Sequence, residues 1–177
     1  MHRTQNPTSS AADTTTEITV TPADTLRGAA HYLELRGWTR NDYYAGLGAF
    51  PAACALGAIG MAAHGRRTDF PTSERLETLG DCRRAAGWLI NYLSDAGTSV
   101  SYDCGPTCFD GFNRIVDWND NGNQTAKNVI ATLRAAADEF EWAHASPDDL
   151  ETYADSCAWA ETWPTREGFL AWLAARR

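Results

Sequence analysis

The sequence lacks the features that mark membrane proteins, secreted proteins and the enzymes defined by short motifs. It has no apolar run approaching the ~20 residues that a bilayer-spanning helix needs. No apolar stretch follows its first polar residues, so we expect no secretory signal and a cytoplasmic location. It also lacks a phosphate loop, a dinucleotide fingerprint, a nucleophile elbow and a His-Glu-x-x-His motif. These absences favour a soluble protein whose function is not one of the motif-defined activities.

The five cysteines form no regular disulfide or metal pattern. Their odd number argues against a closed disulfide set, and we expect reduced thiols in a cytoplasmic protein. Cys104 and Cys108 could bind zinc together with Cys82 or Cys157, but the gap of three residues exceeds the usual two and no second close pair follows. The same spacing disfavours a redox dithiol. We therefore predict no metal and no cofactor.

The formal net charge of −8 is concentrated in one C-terminal stretch. The remaining 15 acids are matched by 15 bases. An acidic stretch repels nucleic-acid phosphate and attracts a basic protein surface, although a merely solvated helical face is the alternative. We expect a protein partner, without direct nucleic-acid or membrane binding. The stretch contains no Lys or Arg and holds eight acids: Asp138, Glu139, Glu141, Asp148, Asp149, Glu151, Asp155 and Glu161.

The pattern of caps and apolar positions predicts a mainly α fold: a compact helical domain around a small-residue central helix, with a helical C-terminal extension. A disordered tail, 1–20, precedes the core domain, 21–145, and the acidic, aromatic extension, 146–177. No strand pattern is evident. A short helix through Phe112 and Ile115 leads into Trp118. The other helix starts are signalled by a cap or a proline at Thr21, Pro51, Ser73, Thr125, Ser146 and Thr165.

The helix predicted to start at Pro51 and to run to about His64 consists largely of alanine and glycine. Small side chains let another backbone approach closely, which predicts a central position for this helix. Cys54 in its first turns has two interpretations. A helix N-terminus lowers the pKa of a thiol and could create a nucleophile, given a histidine base. Burial as a small core residue is the other interpretation, and we prefer it.

Asn119 and Asp120 follow an apolar turn and precede the helix capped by Thr125. Short polar side chains at such a position bond to nearby backbone groups and hold a loop in place. We expect Asp120 to stabilise the loop before Thr125. The alternative is a ligand site, and in a cysteine enzyme Asn119 or Asp120 would orient the base for Cys54.

Several of these motifs together resemble a family of small uncharacterised proteins from actinobacteria and their phages, a domain of unknown function. The resemblance covers roughly residues 22–140 and implies no activity. The Cys104–Cys108 segment and the acidic residues after Asp138 depart from its pattern. The motifs that carry it are Leu26-Arg27-x-Ala29-Ala30, Arg36-Gly37-Trp38, Cys54-Ala55-Leu56-Gly57-Ala58-Ile59, and Trp118-Asn119-Asp120 before Thr125-Ala126.

These observations predict a non-catalytic accessory protein of phage or mobile-element type that binds a host protein. If the protein is encoded by a phage, its location is the host cytoplasm. A cysteine-dependent enzyme built around Cys54 is the alternative, and a virion or assembly component is the third. Tryptophans commonly anchor interfaces and carboxylates steer basic partners, although these tryptophans could instead dock the last helices onto the core. The predicted binding residues are Trp142, Asp148, Asp149, Trp159, Glu161 and Trp163.

Overall fold

The computed structural model describes residues 20–68, 70, 80–96 and 110–176, and it is mainly helical as predicted. None of the helices in these ranges is long and apolar enough to cross a membrane. Two short strands, β1 (Tyr44–Ala45) and β2 (Ala52–Ala53), pair in an antiparallel hairpin. The helices are α1 (Pro22–Arg36), α2 (Ala55–His64), α3 (Gly80–Asp95), α4 (Asp110–Asp120), α5 (Ala126–Ala143), α6 (Pro147–Trp159) and α7 (Arg166–Ala174).

Helix α1 begins and ends where its sequence signals predict. The Thr21 side chain accepts a hydrogen bond from the backbone N–H of Asp24, and the Asp24 carboxylate accepts one from the backbone N–H of Thr21. Pro22 occupies the first helical position, where no intrahelical N–H donor is needed. Gly37 ends the helix with a φ of 93°. The predicted caps Thr125, Ser146 and Thr165 likewise begin α5, α6 and α7.

The prediction for the start of α2 was wrong by four residues. The helix begins at Ala55 with Cys54 as its cap, and the residues just before Cys54 form strand β2. The N–H of Cys54 donates to the carbonyl of Tyr43 at 3.1 Å, so the chain is held extended beside β1. The expectation of no strand was also incorrect here, because two-residue strands are too short to show an alternating pattern.

Helix α2 is central, as its composition predicts. Its residues from Ala55 to Met61 are all buried, and α1, α3 and α4 pack around it. Gly57 allows the hairpin backbone to cross this helix, because a Cβ at that position would overlap the carbonyl oxygen of Tyr43. Gly60 similarly lies against the side chains of Thr68 and Phe70.

The main core is formed by one face from each of α1 to α5. Helix α1 packs against α5, α2 and α3, and α4 packs against α3 and α2. The predicted inward residues of α5 are buried at Val129, Leu133 and Ala137, whereas Ile130 and Phe140 are only partly buried. The predicted Ser73 cap of α3 and the 1–20 tail, apart from its last residue, Val20, lie outside the described residues, and α3 is described from Gly80.

Helices α6 and α7 pack on each other around a second, smaller apolar cluster. This cluster contains the buried side chains of Tyr153, Cys157 and Phe169. Helix α7 also packs against α5, where the Phe169 ring lies edge-on to the Trp142 ring with centroids 5.9 Å apart. The boundary between residues 145 and 146 stays a prediction. The buried residues of the two clusters lie on its two sides, and Ala145 packs against the second cluster.

Candidate functional site

Cys54 is a buried residue that caps α2. Its Sγ accepts a hydrogen bond from the backbone N–H of Gly57 at 3.4 Å. Only 2 % of the residue is exposed. Burial raises the pKa of the thiol from 9.0 to about 11, and the backbone donors of the helix N-terminus lower it only in part. Cys54 is therefore a core residue, which is the interpretation preferred from the sequence. The lowered pKa that the nucleophile alternative needs is not found, because desolvation outweighs the hydrogen bonds of the helix N-terminus.

No described histidine hydrogen-bonds to Cys54. His31 is exposed on α1 and lies 3.8 Å from the carboxylate of Glu34. His144 caps α5, and its ring stacks on Phe140 with centroids 4.0 Å apart. His64 is the last residue of α2, at the opposite end from Cys54. The described residues therefore supply no histidine base at the thiol.

Asn119 is fully buried and joins three segments of the chain. Its Oδ1 accepts hydrogen bonds from the indole N–H of Trp38 at 2.7 Å and from the N–H of Ala55 at 3.0 Å. Its Nδ2 donates to the carbonyl of Thr39 at 3.1 Å and to Oδ1 of Asp120 at 2.7 Å. Both ends of the amide are thus used within the fold, where they attach α4 to the start of α2 and to the loop after α1.

Asp120 stabilises a different loop from the one predicted. Its Oδ1 accepts a hydrogen bond from the N–H of Asn41 at 3.0 Å, in the segment between α1 and β1. Asn41 has a φ of 66°, a conformation that asparagine tolerates well. The loop before Thr125 is held instead by Asn121, whose Oδ1 accepts from the N–H of Asn123 at 3.0 Å. A sequence pattern cannot distinguish these loops, because α4 ends against a segment about 80 residues away in sequence.

The cysteines considered as metal ligands do not form a described cluster. Cys82 is buried in the main core, and Cys157 is buried in the second cluster. Cys104 and Cys108 lie outside the described residues. Within the ranges that the structure describes, no three His, Cys, Asp or Glu side chains are grouped as metal ligands would be.

The acidic stretch divides into an internal part and an external part. Arg27 on α1 forms ion pairs with both Asp138 and the buried Glu141 on α5, and these pairs raise the pKa of the guanidinium. Arg166 on α7 pairs with Glu139 at 2.5 Å. Three of the eight acids therefore connect helices, a role that was not predicted from the sequence. The signal in the sequence is the group of three acids on α5 together with arginines on the helices that flank it in the fold.

The other five acids lie on α6 or directly after it, and none of them pairs with a basic side chain among the described residues. Asp148, Glu151, Asp155 and Trp159 follow one another at helical spacings of three, four and four residues, so they share one side of α6. All four are exposed, and the buried Tyr153 and Cys157 occupy the opposite side.

Two of the three predicted anchor tryptophans are open to solvent. Trp159 is 91 % exposed and Trp163 is 90 % exposed, whereas Trp142 is 40 % exposed and touches Phe169. Docking of the last helices onto the core therefore involves Trp142 and not the other two. We call the solvent-exposed set the acidic face; it consists of Asp148, Glu151, Asp155, Trp159, Glu161 and Trp163.

Asp149 belongs to the cap of α6. Its N–H donates to Oγ of Ser146 at 3.0 Å, and the Ser146 hydroxyl donates to its carboxylate at 2.7 Å. At a helix N-terminus this carboxylate also interacts favourably with the helix dipole. Asp149 is therefore engaged within the chain, and its role as a predicted binding residue is weaker than that of its exposed neighbours.

Glu161 has an unusual backbone conformation at the end of α6. Its φ is 53°, in the left-handed region that favours glycine. The N–H of Thr162 donates to the carbonyl of Cys157 at 2.9 Å. The N–H of Glu161 donates to the carbonyl of Ala158 at 3.2 Å. These two bonds form a Schellman motif, in which glycine usually occupies the Glu161 position.

Comparison with known proteins identifies a family but no activity. The model of a family described as a family of unknown function, DUF6197, matches residues 17–139. No curated protein and no solved structure matches the chain. The match ends within α5, so the acidic face lies beyond the matched residues.

Proposed function

Because this chain belongs to the DUF6197 family, whose function is unknown, we propose a function from its own surface. We infer that it is a non-catalytic accessory protein, of phage or mobile-element type, that binds a host protein through the acidic face. The observation that carries the proposal is the exposure of Trp159 and Trp163, at 91 % and 90 %, beside acids with no described basic partner.

Exposure of a tryptophan side chain to water is unfavourable unless the side chain binds another molecule. Each presents a large apolar ring to water, and such rings are enriched among the residues that dominate binding energy. Trp142 and Trp172 show what tryptophans do in this fold when they serve structure, because both contact the Phe169 ring. The contrast supports a binding role for the two that contact no described aromatic ring.

The acids next to these rings define the chemistry of the partner. Residues 146–163 contain five acids and no Lys or Arg, so a basic protein surface is attracted and a nucleic-acid backbone is repelled. The partner should therefore present arginines or lysines around an apolar pocket that can accept an indole ring. Rim charges of this kind mainly raise the association rate, while the tryptophans slow dissociation.

The cysteine-dependent enzyme is the weaker alternative. A nucleophilic thiol needs access to substrate and a lowered pKa, whereas Cys54 is 2 % exposed and burial raises its pKa to about 11. A virion or assembly component has no specific observation in its favour.

The test is affinity capture with the full chain from a lysate of the host, followed by identification of the partner and measurement of binding with the purified pair. The Trp159→Ser, Trp163→Ser double variant should fold normally and lose about tenfold or more of the affinity, in line with the loss of hot-spot side chains. The pair Glu151→Arg and Asp155→Arg should mainly slow association.

Asp117→Arg is the matched control, because Asp117 is exposed on α4, outside the acidic face, and the charge change per residue is the same. It should leave the affinity unchanged. A partner bound equally well by the wild type and by the double tryptophan variant would show that the acidic face is not the binding surface.

A further inference from the structure

The chain carries, around the β1–β2 hairpin, a surface with the basic and apolar character that we expect of a partner. Leu47 is 96 % exposed and Phe50 is 53 % exposed. Arg36 donates through Nε to the carbonyl of Phe50 at 3.0 Å, and its guanidinium lies 5.4 Å from the centroid of the Phe50 ring. Arg67 donates to the carbonyl of Gly46 at 3.2 Å. Two arginines are thus held beside two exposed apolar side chains.

The charge of this surface is positive. Arg36, Arg66 and Arg67 are exposed, and no ion pair joins any of them to a described acid. Both Arg36 and Arg67 are close enough to the Tyr32 hydroxyl to oppose the burial that raises its pKa, so the two arginines belong to one surface. Residues 36–67 contain four arginines and one acid. We call Arg36, Leu47, Phe50, Arg66 and Arg67 the hairpin surface.

The hairpin surface and the acidic face are complementary in charge, and each adds exposed apolar side chains. Within the described residues, no hydrogen bond or ion pair joins one to the other in the same chain. Within the part of the chain that the structure describes, both surfaces are exposed. Two surfaces of opposite charge that both carry exposed apolar side chains can form an interface with an apolar centre and a polar rim.

We propose that the hairpin surface of one chain docks on the acidic face of a second copy of the same chain, head to tail. The inference rests on the proposed function, because it assigns the same acidic face as a binding surface. An interface between two different surfaces leaves one free surface at each end, so association can continue beyond a dimer. A second copy and the host partner compete for the acidic face, so self-association regulates host binding.

The test is sedimentation velocity of the full chain from about 1 µM to about 1 mM, a range that covers weak and moderate affinities. Two variants each remove one surface: Leu47→Ser with Arg66→Glu, and Trp159→Ser with Glu151→Arg. These four side chains are exposed and make no described hydrogen bond, so both variants should fold. Wild type should form a concentration-dependent series of oligomers, and each variant alone should associate at least about tenfold more weakly.

The mixture of the two variants is the decisive sample. Each retains the surface that the other lacks, so together they should form a 1:1 dimer that grows no further. Lys127→Glu is the matched control for Arg66→Glu, because it makes a similar charge change on an exposed part of α5, and it should associate like wild type. Association of the wild type should weaken between about 0.15 M and about 1 M salt, where the Debye length falls from about 8 Å to about 3 Å.

A monomeric wild type, a mixture that forms no dimer, or a hairpin variant that associates as strongly as wild type would each overturn the inference. Binding of a monomeric wild type to phosphatidylserine vesicles, lost in the hairpin variant, would overturn it in favour of a lipid surface. Host binding that depends on Trp159 in a protein that stays monomeric would reject the self-association and leave the proposed function standing. Self-association of this kind without capture of a host partner would reject the proposed function and leave the self-association standing.

Discussion

At the scale of single residues, Cys54 shows how burial and local hydrogen bonding compete. The thiol lies at a helix N-terminus, but burial raises its pKa from 9.0 to about 11. A difference of two pKa units leaves about 100-fold less thiolate near neutral pH, so alkylation by iodoacetamide at pH 8 should be at least about 100-fold slower than for an unfolded thiol. Mass spectrometry of the intact and urea-unfolded chain measures the rates.

The same pKa shift predicts a dependence of stability on pH. A folded-state pKa above the unfolded value contributes stability that is complete below pH 9.0 and is lost as the pH rises toward about 11. Cys54→Ser should reduce the slope of the free energy of unfolding in that range. An equally steep slope in this variant, or fast alkylation of Cys54 in the folded chain, would contradict burial of the thiol.

Asn119 and Asp120 differ in what their removal leaves behind. Asn119→Ala leaves the buried N–H of Ala55 and the partly buried indole N–H of Trp38 without an acceptor, which should lower the free energy of unfolding by about 2–4 kcal/mol. Asp120→Ala removes bonds at a less buried position and should cost about 1–2 kcal/mol. Urea titration compares the two. Equal losses, or a larger loss for Asp120→Ala, would show that Asn119 does not connect the segments as described.

At the scale of elements, the end of α6 places a charged residue where a glycine would fit better. Glu161→Gly should raise the free energy of unfolding of this region by about 0.5–1 kcal/mol, because glycine adopts a positive φ without steric cost. Glu161→Gln keeps the backbone strain and removes the charge, so it should not stabilise. Thermal unfolding separates these effects, and both variants should bind the partner more weakly. Stabilisation by both variants would assign the strain to the carboxylate rather than to φ.

At the scale of the whole molecule, the two apolar clusters predict that the chain can be shortened without unfolding its main core. Truncation after Ala145 keeps Glu141 and Asp138 on α5, which pair with Arg27, whereas truncation after Ala137 would remove both. The shorter chain should retain a cooperative unfolding transition and lose both partner binding and self-association. Circular dichroism with thermal melting checks the fold. Loss of cooperative unfolding would instead show that α6 and α7 are part of the core.

The helical class, the positions of most helix starts and the central place of α2 could be predicted from the sequence, because caps, prolines and small side chains act over a few residues. Thr21, Thr125, Ser146 and Thr165 each bond to a backbone N–H three residues on. The contacts of the polar side chains could not be predicted, because their partners lie far away in sequence. Asn119 reaches across 81 residues to Trp38, and Arg27 reaches across 114 to Glu141. The difference in exposure between Trp159 and Trp142 is likewise a tertiary property, since it depends on which sides of α5 and α6 face α7.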